Sequence, residues 1–73
     1  MTDEIIREQT GLPNKQIHLQ KMEFKSNGRI EYRLCYYLRK NPQSVFRFQR
    51  FIAFVPQVDF EAIVKEAQTK GWF

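Results

Sequence analysis

Residues Arg29–Arg39 alternate without a break. Ile30, Tyr32, Leu34, Tyr36 and Leu38 fall on one side, and Arg29, Glu31, Arg33, Cys35, Tyr37 and Arg39 on the other. A period of two is the signature of a strand with one face against a core. Such a strand needs partners at its edges and a cover for its apolar side. In 73 residues that leaves room for one domain, taken as 1–73. A chain this short hides only about 60% of its unfolded surface on folding, which excludes a deep cleft between two lobes.

The runs on either side read as neighbouring strands. Ile17 and Leu19 are out of phase with Met22 and Phe24, which points to a bulge near Gln20-Lys21. A three-residue loop, Ser26-Asn27-Gly28, with Gly28 left-handed, sets Phe24 opposite Ile30 and Met22 opposite Tyr32. A turn at Asn41-Pro42-Gln43 brings Leu38 opposite Phe46 and Tyr36 opposite Phe48, opening a third strand over Val45–Val55. That strand has two readings. Without a bulge, Phe46, Phe48, Arg50, Ile52 and Phe54 share the core side. With a bulge at Gln49-Arg50, Phe51, Ala53 and Val55 turn inward instead. Arg47 lies on the outer face in both.

The two ends read as helices. Thr2 serves as an N-cap with Asp3 and Glu4 in the first turn, Gly11-Leu12-Pro13 forms the stop, and Ile5, Ile6 and Leu12 are the core contribution. After Pro56, Asp59 is the expected N-cap. Phe60, Ile63, Val64 and Ala67 make one buried face, and Lys70-Gly71 close the helix. Trp72 and Phe73 are expected to fold back onto the core. The predicted fold is α+β with the order α-β-β-β-α: a three-stranded antiparallel meander with the C-terminal helix packed on one face. Leu34, Tyr36, Phe48 and Ile63 are expected to be buried together. This order is similar in topology to double-stranded-RNA-binding domains, whose RNA-binding motifs are absent here. Asp59-Phe60-Glu61 stands where those domains present lysines, and Ser26-Asn27-Gly28 where they carry a Gly-Pro-rich loop with a histidine. The resemblance therefore implies no function.

Charge is segregated along the chain. Residues 1–14 are net −2 and residues 51–73 net −1, whereas residues 15–50 hold nine bases against Glu23 and Glu31. A merely solvated face mixes signs. Here Lys25, Arg29, Arg33, Arg39 and Arg47 are expected on the outer face with Tyr37 among them, and Glu23 and Glu31 alone oppose them. Cations interleaved with an aromatic on an open sheet suit phosphate contact with base stacking. These six residues are the candidate site for nucleic acid or another polyanion. The alternative is a protein-interaction or small accessory-subunit module, binding an acidic protein or a second copy. It would use an apolar patch of Tyr37 with Phe51, or with Ile52 and Phe54, inside the basic rim.

Catalysis has little to work with. Cys35 is expected opposite His18, yet a thiol–imidazole pair also needs an orienting third group, and two ligands are too few for zinc. Gly11, Gly28 and Gly71 are each explained by a turn or cap, so no phosphate loop remains. The expectation is a protein that is not an enzyme, with no cofactor and no metal. A single cysteine forms no internal disulfide and fits a reducing compartment. The acidic N-terminal segment lacks the pattern of a signal peptide, and no apolar run approaches the ~18–20 residues of a membrane helix. The expected location is the cytoplasm, with no membrane partner.

Overall fold

The computed structural model describes residues 1–73. It contains β1 (Asp3–Glu8), β2 (Lys15–Glu23), β3 (Ile30–Leu38), β4 (Arg47–Gln49) and α1 (Gln57–Thr69). The strands form one antiparallel sheet in the order β1-β2-β3-β4, and α1 packs against β1. The α+β class, the antiparallel meander and the C-terminal helix on one face are as predicted. The first element is a strand, which corrects the expected helix and ends the topological likeness to double-stranded-RNA-binding domains.

The backbone ladder explains that correction. Asp3–Glu8 pairs residue by residue with Gln16–Lys21, and Thr2 extends the ladder by donating from its N–H to Lys21 O at 2.9 Å. A lone short helix has little stability of its own, whereas this edge strand gains cross-strand bonds and buries Ile5. The alternation sends Ile5 inward and leaves Ile6 exposed, and Leu12, beyond the strand, is exposed as well. Gly11 does take a positive φ, of 81°, but in the β1–β2 connection. There Leu12 N–H bonds Gln9 O and Lys15 N–H bonds Leu12 O.

Both hairpins differ by one residue from the expected register. β2 and β3 pair continuously from Lys15↔Leu38 to Glu23↔Ile30, so no bulge interrupts β2. Phe24 N–H bonds Arg29 O, which makes the loop four residues, Lys25–Gly28. Asn27 Oδ1 accepts from Arg29 N–H at 2.9 Å and Gly28 has φ 71°, a left-handed geometry that glycine adopts without strain. In the second hairpin Leu38 faces Arg47, Tyr37 faces Phe48 and Tyr36 faces Gln49. β4 then stops. Residues 50–55 leave the sheet, without the expected strand or bulge, and run to α1 with Phe51, Ile52 and Phe54 exposed.

The core is Ile5, Ile17, Ile63 and Ala67, with Leu19, Val55 and Trp72 packed against it. It sits over β1 and β2. β3 does turn its predicted apolar side toward the helix-bearing face, but α1 does not cover it: Ile30, Tyr32, Leu34 and Leu38 remain 38–40% exposed. Phe48 lies on the opposite face. The expected cluster of Leu34, Tyr36, Phe48 and Ile63 is thus replaced by an isoleucine core one strand over.

Pro56 occupies the N-cap position of α1, so Asp59 lies inside the first turn. Its carboxylate is buried and reaches back to the β1 end. Oδ1 accepts from Arg7 Nε at 2.7 Å and Thr10 Oγ1 at 2.8 Å, and Oδ2 from Thr10 N at 3.1 Å. At the other end Trp72 stacks on Tyr32, with 5.7 Å between ring centroids, and its Nε1–H donates to Asp3 Oδ2. Phe73 stays exposed. No helix is long and apolar enough to cross a membrane.

Candidate functional site

Strand pairing fixes which side chains share the face away from α1: Glu4, Ile6 and Glu8 from β1, Gln16, His18, Gln20 and Met22 from β2, Glu31, Arg33, Cys35 and Tyr37 from β3, and Phe48 from β4. The centre of this face is a closed polar network. His18 Nδ1 lies 2.8 Å from Glu4 Oε2 and its Nε2 3.1 Å from Gln16 Oε1. Gln20 Nε2 donates to the same Glu4 oxygen at 2.6 Å, and Gln20 Oε1 accepts from Arg33 Nε at 2.7 Å. Burial pushes the Glu4 carboxyl up. The contacts from His18 and Gln20, with the charge of Arg33, outweigh that and hold it below the usual carboxylate range. Beside the network lies an aromatic row. Tyr37 stacks on His18 at 4.0 Å, Phe48 meets Tyr37 edge-on at 5.6 Å, and the Arg33 guanidinium sits over Phe48 at 5.1 Å.

The six predicted residues do not form one patch. Arg33 and Tyr37 are on the outer face as expected. Lys25 is in the first hairpin loop, and Arg29 pairs with Glu31 just before the start of β3. Arg39 follows the other end of β3. Its Nε donates to Asn14 Oδ1 and its Nη2 to Pro13 O, both at 3.0 Å, over the Phe46 ring. Arg47 is opposite Leu38 and therefore on the helix-bearing side, which corrects its predicted face. The one-residue register difference is the cause. Glu23, opposite Ile30, is on that side too. The length of β3 separates Lys25 and Arg29 from Arg39 and Arg47 by roughly 30 Å.

At that second end the geometry assembles something the sequence reading missed. An open concavity of about 690 Å³ is lined by Leu38, Arg39, Lys40, Ser44, Val45, Arg47 and Gln49. It holds three cations, two polar side chains and no carboxylate. A smaller hollow beside it shares Leu38 and Arg39 and adds Lys15. The 41–44 turn is fixed by Asn41 Oδ1, which accepts from Gln43 N–H and Ser44 Oγ, a side-chain turn typical of Asn. Lys40 carried a visible signal: an Arg-Lys doublet directly before Asn-Pro places both cations at one hairpin end.

Cys35 is opposite His18, as expected, although without the bulge. Its Sγ faces the His18 carbonyl at 3.9 Å rather than the imidazole. Burial pushes the thiol up, Arg33 pulling it down and Glu4 adding to the rise, so little nucleophilic thiolate is present. Iodoacetamide should therefore alkylate the folded protein at least about tenfold more slowly than the urea-unfolded chain. Equal rates, read by mass spectrometry, would revive a reactive Cys35. Comparison with protein-family models, curated proteins and solved structures gives no match.

Proposed function

We propose that this chain is a non-catalytic binding module for a polyanion, with nucleic acid the class it suits best, and that it binds at the sheet end formed by Arg39, Lys40 and Arg47. The observation that carries the reading is the carboxylate-free concavity these three cations line. Its positive charge has no internal counterion, and an anion entering it meets guanidinium, ammonium, hydroxyl and amide donors together. Arg33, Tyr37 and Phe48 continue the surface onto the outer face, where exposed ring area offers a base something to stack on. The far cations contribute less, since Arg29 is already paired with Glu31. A second reading, an acidic protein partner, draws on Phe51, Ile52 and Phe54, which leave β4 with 74–84% of their surface exposed and suit an interface anchor inside a basic rim.

Fluorescence anisotropy against labelled single- and double-stranded oligonucleotides at several salt concentrations tests the proposal. Wild type should bind at low salt and weaken steeply as salt rises, because each phosphate contact releases counterions. The R39Q/K40Q/R47Q variant should bind at least about tenfold more weakly and flatten the log–log slope by roughly 2–3, about 0.7–0.9 per lost contact. The K25Q/R29Q variant should bind like wild type. Wild type that ignores both oligonucleotides would transfer support to the protein-partner reading. A triple variant with unchanged affinity would place the site elsewhere.

A further inference from the structure

β3 is nine residues long, but β4 covers only Tyr36–Leu38 of it. The consequence follows from the hydrogen-bond alternation. Phe24 N–H bonds Arg29 O and Arg39 N–H bonds Asn14 O, so the odd-numbered residues of β3 turn their backbone groups toward β2. The even-numbered ones turn theirs the other way. Tyr36 and Leu38 spend them on β4. Ile30, Tyr32 and Leu34 present N–H and C=O groups to an edge that no other segment pairs. The side chains of the same three residues are 38–40% exposed on the helix-bearing face. A bare edge with apolar side chains is a template for strand addition.

We infer that this edge pairs with the same edge of a second copy, forming a two-fold symmetric dimer with one continuous sheet. The segment is self-complementary in one antiparallel register, centred on Tyr32. There Tyr32 faces its own counterpart, and Ile30 faces Leu34 of the second copy on the helix-bearing side, twice by symmetry. On the outer side Glu31 faces Arg33 of the second copy, again twice. The free N–H and C=O of Ile30, Tyr32 and Leu34 all point at the partner strand and are all satisfied. Two opposite-charge pairs and two aliphatic pairs are the cross-strand contacts that stabilise antiparallel sheets. A slide of two residues loses this match by placing Arg33 or Glu31 against itself, and a slide of one sets Tyr32 against Arg33 or Glu31, whose backbone groups are already bonded to β2. The paired stretch ends where β4 begins, since Arg29 of the partner reaches Cys35 and its chain then turns into the Lys25–Gly28 loop. The inference goes beyond the polyanion reading and does not depend on it, because it leaves the Arg39–Lys40–Arg47 end free.

Sedimentation velocity over a concentration series tests it. Wild type should show a monomer–dimer equilibrium. Glu31→Arg and Arg33→Glu should each raise the dimer Kd at least about tenfold by setting like charges opposite one another twice. The E31R/R33E double variant restores opposite charges in the same register and should recover a Kd within about threefold of wild type. Leu34→Pro removes an edge N–H that the monomer does not use. It should keep the wild-type circular dichroism spectrum and run as a monomer. Wild type that stays monomeric throughout would overturn the inference. A dimer that E31R and R33E leave unaffected, or that the double variant fails to restore, would overturn it equally.

Discussion

Asp59→Ala should cost about 2–4 kcal/mol of folding stability, measured by urea unfolding at neutral pH. Removing one member of a buried ion pair commonly costs about 3–5 kcal/mol. The figure is lower here because the Arg7 side chain is 36% exposed and water can take up its charge. What remains is the loss of three donors' partner: Arg7 Nε, Thr10 N–H and Thr10 Oγ1 all converge on this carboxylate. The group ties the start of α1 to the end of β1, the contact that holds the helix over the core. Its titration contributes to the pH response. Burial pushes the Asp59 carboxyl up, but the bonds from Arg7 and Thr10 and the Arg7 charge outweigh it, so the folded-state pKa lies below the usual carboxylate value. A depressed pKa contributes stability that is present above the unfolded value, about 3.9, and is lost as pH falls through the lower folded value. Glu4 acts in the same direction. Wild type should therefore lose stability progressively below about pH 4, and Asp59→Asn should start lower and show a shallower acid limb. A loss under about half a kcal/mol in Asp59→Ala would contradict the anchoring role.

The second large effect is expected at Ile63. It is 2% exposed and packs with Ile5, Ile17 and Ala67, so Ile63→Ala should cost about 2–5 kcal/mol. That is a large share of what a domain this small can muster. Leu34→Ala is the informative comparison. Leu34 belongs to β3, which α1 leaves uncovered, and under dilute conditions its truncation should cost less than about 1 kcal/mol. Similar losses at the two positions would mean that the helix covers β3 after all.

That contrast marks what was legible in the sequence. The unbroken alternation of Arg29–Arg39 assigned both faces of β3 correctly, and the Phe60–Ile63–Val64–Ala67 spacing located α1 and its buried Ile63 and Ala67, although Phe60, expected on the same buried face, is half exposed. His18 and Cys35 were rightly placed opposite each other. The N-terminal segment misled because its end signals are shared. Thr2, Asp3 and Glu4 suit a helix start, and Gly11-Pro13 suits either a helix stop or a strand-connecting loop. Pairing with β2, which no local signal encodes, decided between them. Both hairpin registers erred by one because they were set by matching apolar side chains across the strands, Phe24 with Ile30 and Leu38 with Phe46, whereas the ladders pair Glu23 with Ile30 and Leu38 with Arg47. In the second hairpin that single residue moved Arg47 to the other face and sent Phe48 outward, so a site predicted on one face resolved into separate groups. Asp59 was recognised as a helix-start residue, but its bonds to Arg7 and Thr10 span about fifty residues and lie beyond any local pattern.

Polyanion binding at the Arg39–Lys40–Arg47 end should be visible by amide chemical-shift mapping of the labelled protein during titration with a short single-stranded oligonucleotide at low salt. The largest shifts should fall between Leu38 and Gln49, extending to Lys15 and Tyr37, while Lys25–Arg29 and the α1 amides stay near their free positions. Shifts centred on Lys25–Arg29, or none at saturating oligonucleotide, would rule out binding at this end.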